Sequence, residues 1–109
     1  MARKTLVLAS MIFTAATLPA SAAGNAEAGK KKAGQCQTCH GMDGMSKLPE
    51  APHLAGQTPI YLVSALNDYK SGARKNEMMS VVIGALTPED INDLAAYYAS
   101  IQITVTPPK

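Results

Sequence analysis

Cys36 and Cys39 are separated by two residues, and His40 follows the second cysteine directly. This Cys-x-x-Cys-His spacing is typical of the attachment site of a c-type haem. Two thiols at this spacing can form thioethers to the two vinyl groups on one porphyrin edge, and the next imidazole can then bind the iron. The motif therefore predicts one covalent haem c held by Cys36 and Cys39, with His40 as an axial iron ligand.

Two other chemistries also use paired cysteines: disulfide exchange and zinc binding. A thioredoxin-like redox pair belongs in a βαβ pattern, which this sequence does not show. A structural zinc site usually needs four ligands, and the chain offers two cysteines and one further histidine, His53. Both alternatives are therefore disfavoured, and a thiol–disulfide oxidoreductase would be recognised by free, titratable thiols.

An iron held by one histidine either binds a second protein ligand or keeps an open position for small molecules. Met78 and Met79 stand far enough along the chain from the motif for the backbone to pass round a porphyrin. Met42 and Met45 stand too close to reach the opposite face, so packing or surface positions are predicted for them. The residues alone leave Met78, Met79 and His53 as candidates, and an open site would indicate a ligand-binding or peroxidatic protein.

The N-terminal residues 1–23 have the pattern of a cleaved signal peptide. Arg3 and Lys4 precede an apolar run that ends near Leu18, and small residues follow up to Ala23. The run is shorter than the roughly 20 residues that span a bilayer, and no later segment is a candidate span. We therefore predict export to the periplasm, cleavage after Ala22 or Ala23, and one mature domain, residues 24–109.

The composition of the predicted mature domain excludes some functions and favours a cofactor. Removing Arg3 and Lys4 leaves equal numbers of basic and acidic residues, which gives no argument for nucleic acid as a partner. The only phenylalanine lies in the signal segment, so the aromatic residues that remain are four tyrosines. A small domain with so few large apolar side chains needs another group to fill its centre.

Helix-forming patterns predict an all-α domain with three main helices: residues 25–38, Thr58 to Gly72, and Thr87 to about Ser100. Gly29 inside the first of these helices indicates close approach of another backbone. Residues 41–58 have no sustained period and predict a functional loop. Residues 73–86 predict a loop with a short helical turn, and residues 102–109 a loosely held terminus.

Several stretches together resemble a small soluble bacterial class I c-type cytochrome, and the resemblance covers nearly all of residues 25–101. They are Cys36 to Gly41, Pro52-His53-Leu54-Ala55-Gly56-Gln57, Tyr61-Leu62, Gly72-x-Arg74-x-Asn76-x-x-Met79 and Leu86 to Tyr98. The resemblance implies the class I cytochrome c fold, with loops wrapped around one covalent haem and crossing N- and C-terminal helices. It places Gly29 against Leu94 and Tyr97 or Tyr98.

The same resemblance assigns further site residues. In this family the ligand methionine stands seven residues before the leucine that leads into the last helix. Counting back from Leu86 selects Met79, with Met78 as the second choice. The resemblance also implies that the Pro52 carbonyl accepts the Nδ1 proton of the ligand histidine, which would fix the ring and raise its basicity. Arg74 matches a residue near a haem propionate.

The function implied by the resemblance is electron transfer, with no catalytic activity of its own. His40 and Met79 would stay bound while the iron cycles between Fe(III) and Fe(II), and redox proteins would dock briefly as donor and acceptor. Many relatives carry two such domains. The alternative is therefore a haem-bearing electron-transfer subunit of a periplasmic dehydrogenase or oxidase, and both a monomer and a subunit of a redox complex are open.

Overall fold

The computed structural model of the protein describes residues 23–109. Within them the chain forms no β-strand and five α-helices: α1 Ala26–Lys32, α2 Gln37–His40, α3 Pro59–Ser71, α4 Glu77–Gly84 and α5 Pro88–Ser100. The predicted all-α class is therefore confirmed. The predicted signal segment lies outside the described residues except for Ala23. Among residues 23–109, no helix is long and apolar enough to cross a membrane.

Local sequence signals explain where the helices begin and end. The Asn25 side chain accepts a hydrogen bond from Ala28 N at 2.9 Å and caps α1. Thr87 and Asp90 form the predicted start of α5 as a reciprocal capping box. At the end of α3, Gly72 adopts a φ of 82°, a left-handed conformation that glycine reaches without strain.

The prediction of one continuous helix over residues 25–38 is wrong. A 3₁₀ turn, Ala33–Gln35, separates α1 from α2, and Cys36 N donates to Ala33 O at 2.9 Å across that turn. A tighter turn rotates the following residues relative to the preceding helix. The break therefore lets α1 pack on one part of the molecule while α2 carries the cysteine motif along a different face.

Helix α1 crosses α5 at Gly29, as predicted. Gly29 is buried, and a Cβ built on it would lie 2.0 Å from Asp93 O and 2.8 Å from Tyr97 Cβ. A Cβ built on Gly24, just before the helix, would lie 1.9 Å from Asn92 O. The two ends of the domain are thus joined backbone against backbone, with no room for a side chain between them.

A charged cluster closes this crossing. Lys32 Nζ donates to Asp93 Oδ2 at 2.6 Å and lies 2.8 Å from Asp90 Oδ1, while Asn25 N donates to Asp93 Oδ1 at 2.7 Å. The Lys32 hydrogen bond lowers the pKa of Asp90 to about 2 and is the main cause of a lowered pKa at Asp93. The same bonds raise the pKa of Lys32. The cluster therefore stabilises the fold only while both carboxylates are ionised.

This cluster predicts an acid-dependent effect of Lys32→Met, which keeps the aliphatic stem and removes the charge. Because the folded carboxyls have a lower pKa than the ordinary value of about 3.9, their contribution is present above about pH 5 and is lost as the pH falls from about 4 to 2. The raised pKa of Lys32 affects stability only above about pH 10. Urea unfolding should show a variant less stable than the parent at pH 7, with most of the difference lost by pH 2. A difference unchanged at pH 2 would contradict this role.

The buried core lies mainly between α5 and the helices that contact it. Its members come from the 3₁₀ turn, α3, α4, the connection between α4 and α5, and α5: Ala33, Leu62, Ile83, Leu86, Ile91, Leu94, Ala95 and Tyr98. Residues 23–109 contain neither phenylalanine nor tryptophan, so tyrosine is the only aromatic residue type available to the core of the described part. The apolar side chains of Leu62, Ala65, Leu66 and Tyr69 recur at helical spacing on α3. This stripe is only partly buried, because Ala65, Leu66 and Tyr69 line an open cleft instead of a closed core.

Candidate functional site

A single large cleft brings together the residues that the sequence singled out. The empty volume of this cleft, with its open mouth included, is about 1060 Å³. Its lining includes every predicted site residue: Cys36, Cys39, His40, Pro52, Arg74, Met78 and Met79. Apolar side chains of α3, α4 and α5, including Leu62, Ile83 and Leu94, complete its walls.

His40 ends α2 and is held in a defined orientation. The residue is 6% exposed, and its Nδ1 lies 2.8 Å from Pro52 O. A carbonyl oxygen can only accept, so this contact requires the ring proton on Nδ1 and leaves the Nε2 lone pair free. The imidazole is thereby prepared to act as a metal ligand through Nε2, with the carbonyl raising its basicity.

The loop that carries Pro52 is tied back to the cysteine motif by backbone hydrogen bonds. Lys47 N donates to Cys39 O at 2.8 Å, and Leu54 N and Ala55 N donate to Gly44 O at 2.8 and 3.1 Å. The loop has no regular secondary structure, as predicted, but these bonds fold it into a compact unit. Its two halves therefore lie side by side, which brings the Pro52 carbonyl to the ring of the preceding histidine.

The two cysteines are both half-buried free thiols in the cleft wall. Burial is the main cause of a raised pKa at the Cys36 thiol, and the nearby Cys39 raises this pKa further. A hydrogen bond with Tyr98 acts in the opposite direction and offsets part of the increase. A thiol of raised pKa is a weak nucleophile near neutral pH. Cys36 therefore lacks the lowered pKa that the attacking cysteine of a thiol–disulfide exchange enzyme needs.

Two successive tyrosines at the end of α5 hold the peptide groups that follow His40. Tyr98 OH donates to Gly41 O at 3.1 Å, and Tyr97 OH donates to Met42 O at 2.6 Å. Burial is the main reason that the pKa of Tyr98 is raised, so its hydroxyl stays protonated as a donor. Side-chain hydrogen bonds thus connect α5 to the backbone that directly follows the cysteine motif.

Tyr98→Phe should cost about 1–3 kcal/mol of unfolding free energy, because the buried Gly41 carbonyl loses its hydroxyl donor. Tyr98 is 3% exposed, so water does not readily replace that donor. Tyr61→Phe is a matched control, since Tyr61 is 50% exposed on α3. Denaturant unfolding of the holoproteins measures both changes. Equal stability losses in the two variants would show that the Tyr98 bond has no special weight.

Met78 and Met79 follow the start of α4, where the Asn76 side chain accepts from Met79 N at 3.0 Å. Met79 is half-buried and packs against the core, whereas Met78 is 65% exposed. Both line the cleft. Neighbouring residues on a helix differ by about 100° in direction, so only one of the pair can be directed well into the cleft, and burial favours Met79.

Arg74 and His53 also lie at the cleft, and each has a contact of its own. The Arg74 guanidinium carbon lies 4.8 Å from the centroid of the Tyr69 ring, a cation–π arrangement. His53 is exposed and accepts a hydrogen bond from Ser46 N on Nδ1 at 2.8 Å. One nitrogen of His53 is therefore already occupied by the backbone.

The chemistry of the cleft fits a covalent haem. Two free thiols, an imidazole with a free Nε2 and a partly buried thioether line one space whose walls are largely apolar. Soft sulfur and imidazole are the donors that haem iron takes as axial ligands. A haem in this cleft would also fill the centre of a domain whose core is poor in aromatic side chains.

Comparison with known proteins identifies the family. A family model described as Cytochrome c matches residues 26–102. The chain belongs to the cytochrome c family. Membership implies a covalently bound haem c with iron, and Cys36, Cys39 and His40 form the attachment motif that the family uses. The predicted family, fold and cofactor are therefore confirmed, and the family function is electron transfer.

Individual relatives agree with this assignment. The chain is 42% identical over 100 residues to cytochrome c4 of Pseudomonas aeruginosa, covering 91% of this chain and 50% of that protein. It is 44% identical over 81 residues to cytochrome c-554(548) of Halomonas halodenitrificans, covering 72% and 98%. More distant similarity extends to the thiosulfate dehydrogenase electron acceptor of Stutzerimonas stutzeri, 34% identical over 70 residues, covering 62% and 32%.

A solved structure shows the same fold. Reduced recombinant cytochrome c4 from Pseudomonas stutzeri aligns with a TM-score of 0.70 at 40% identity, covering 76% of this chain and 48% of that chain. The chain thus spans about half the length of the curated relatives named cytochrome c4. The similarity therefore concerns about half of each of those proteins.

Sequence reasoning missed two parts of the site. The hydroxyls of Tyr97 and Tyr98 were not connected with the segment after His40, because the bonded groups lie more than 50 residues apart in the chain. The bond between Ser46 and His53 was also missed. The one feature of the sequence that could have drawn attention to His53 is its position next to Pro52, whose carbonyl was predicted to accept a hydrogen bond from the His40 ring.

Proposed function

We propose that the protein is a periplasmic monohaem electron carrier in which His40 and Met79 are the axial iron ligands. The observation that carries the proposal is the shared cleft: both cysteines, His40 and Met79 line it, and His40 Nδ1 lies 2.8 Å from Pro52 O. The bound haem supplies one-electron Fe(III)/Fe(II) chemistry. The chain's own role is to attach, orient and shield that group.

Each site residue has a distinct task in this proposal. The thiols of Cys36 and Cys39 hold the porphyrin covalently, and Nε2 of His40 binds the metal while the Pro52 carbonyl fixes the ring. The sulfur of Met79 closes the sixth position, with Met78 as the second choice. Neutral ligands and apolar walls favour the less charged, reduced state, so a positive reduction potential is expected.

Arg74 is assigned to the propionate side of the haem. Its guanidinium stacks on Tyr69 at the cleft and carries a permanent positive charge. That charge would offset a propionate carboxylate at the mouth. Redox proteins, acting as electron donor and acceptor, would bind briefly at the exposed cleft edge through a small interface.

Optical spectra of the purified, exported holoprotein test this proposal. We expect a Soret band, a methionine-to-iron charge-transfer band at the red end of the oxidised spectrum, and slow carbon monoxide binding to the reduced protein. The first result follows from the attachment motif, and the other two from closure by sulfur. A missing charge-transfer band with rapid carbon monoxide binding would instead indicate an open, ligand-binding or peroxidatic haem.

The second candidate is the haem-bearing electron-transfer subunit of a periplasmic dehydrogenase or oxidase. It is favoured by the similarity to a protein named thiosulfate dehydrogenase electron acceptor. Size-exclusion chromatography of the protein from its native host separates the two: a free carrier elutes as a small protein, and a subunit elutes with a larger chain. N-terminal sequencing of the same material tests cleavage after Ala22 or Ala23 and the proposed periplasmic location.

A further inference from the structure

His53 joins the two halves of the loop between the cysteine motif and α3. Its Nδ1 accepts a hydrogen bond from Ser46 N at 2.8 Å. The following residue, Leu54, donates its N–H to Gly44 O at 2.8 Å. Both partners belong to the half of the loop that follows His40, and that half is itself fixed by the bond from Lys47 N to Cys39 O.

The peptide group before His53 is the one that contacts the ligand histidine. Pro52 C=O and His53 N belong to the same planar peptide unit, so the orientation of the carbonyl is fixed by the residue that follows it. Proline has no N–H of its own and cannot anchor the unit from the other side by a backbone donor. The Pro52 oxygen is therefore held in place mainly by the two hydrogen bonds that follow it in the chain. One joins Ser46 N to the His53 side chain, and the other joins Leu54 N to Gly44 O.

We propose that His53 is a positioning residue of the haem site: its imidazole, held by Ser46 N, orients the Pro52–His53 peptide so that the Pro52 oxygen meets His40 Nδ1. This inference rests on the proposed ligation by His40. A carbonyl that is well aligned with the Nδ1 proton raises the basicity of the ligand ring, and a stronger donor ligand favours Fe(III). Loss of the His53 bond therefore raises the reduction potential.

His53→Ala and His53→Asn provide the test, made on the holoproteins. Asparagine places a side-chain oxygen close to where Nδ1 stands and can accept from Ser46 N, whereas alanine cannot. We expect His53→Ala to increase the reduced-to-oxidised ratio at a fixed potential roughly threefold, about 30 mV for a one-electron couple, and His53→Asn to restore much of the parent value.

Two further measurements separate positioning from a general structural effect. Amide hydrogen exchange of Ser46 should quicken in His53→Ala and slow again in His53→Asn, and the NMR resonance of the His40 Nδ1 proton should move in the same order. Ser46→Ala is a matched control because it keeps the N–H donor and removes only the hydroxyl that donates to Leu48 O. It should leave the potential at the parent value.

The outcomes distinguish this inference from the function on which it rests. If the parent shows histidine–methionine ligation and His53→Ala has faster Ser46 exchange with an unchanged potential, the positioning role is overturned and the function stands. A shift of equal size in His53→Ala and His53→Asn also overturns it, since the loss would not depend on the acceptor. A parent spectrum without histidine ligation overturns both.

Discussion

Met79→Ala should abolish the methionine-to-iron band and open the iron to carbon monoxide, while Met78→Ala should leave both properties close to the parent. The reason is the difference in position: Met79 is half-buried against the core, and Met78 is 65% exposed. Loss of a thioether ligand should also lower the reduction potential by on the order of 0.1 V or more, within the roughly 0.8 V range that axial ligands set.

Optical titration of the two holoproteins against the parent measures these effects. The pair is well matched, since both variants remove one methionine side chain from the same turn of α4. Loss of the band in Met78→Ala with retention in Met79→Ala would assign the ligand to Met78. Retention in both variants would mean that either methionine can replace the other or that another methionine is the ligand, whereas absence of the band from the parent would direct attention to His53, the third candidate given by the sequence.

Gly29→Ala should destabilise the domain by about 2–3 kcal/mol, close to the upper end of ordinary overpacking costs. The new methyl group would lie 2.0 Å from Asp93 O and 2.6 Å from Asp93 C, so the backbone of α5 must move away from α1. Alanine is the better helix former by roughly 1 kcal/mol, and that gain offsets only part of the clash.

Gly34→Ala is the control for this prediction. Gly34 lies five residues further along in the 3₁₀ turn, and a Cβ there meets nothing within 4 Å. It should be neutral or slightly stabilising, by up to about 1 kcal/mol. Urea unfolding of both holoproteins gives the comparison. Similar midpoints for the two variants would mean that the crossing can widen without cost.

The sequence was most informative where the chemistry is local. Three predictions depended only on a few neighbouring residues. They were haem attachment at Cys36 and Cys39, the start of α5 at Thr87 and the end of α3 at Gly72. The close approach of another backbone at Gly29 was also predicted, because there are few other physical reasons for a glycine inside a helix. The resemblance added the fold, the choice of Met79 and the contact between Pro52 and His40, for which spacing alone gave no basis.

The sequence was least informative where a contact joins distant parts of the chain or depends on fine geometry. The break of the first helix before Cys36 could not be predicted, because propensity does not distinguish a continuous helix from one that tightens into a 3₁₀ turn. The terminus, expected to be loosely held, lies with Ile103 against Gly56, where a Cβ on Gly56 would come within 2.8 Å of the isoleucine. Such contacts follow from the folded shape.

The crossing of α1 and α5 also bears on how the protein is made. Because α1 packs on α5, it cannot dock during synthesis until the chain has been made as far as the end of α5. Until then we expect the cysteine motif, which lies between these two helices in the sequence, to be accessible for covalent attachment of the haem. We expect α1 to pack on α5 only after this covalent modification. Attachment of the haem would then compete with premature collapse of the unmodified chain.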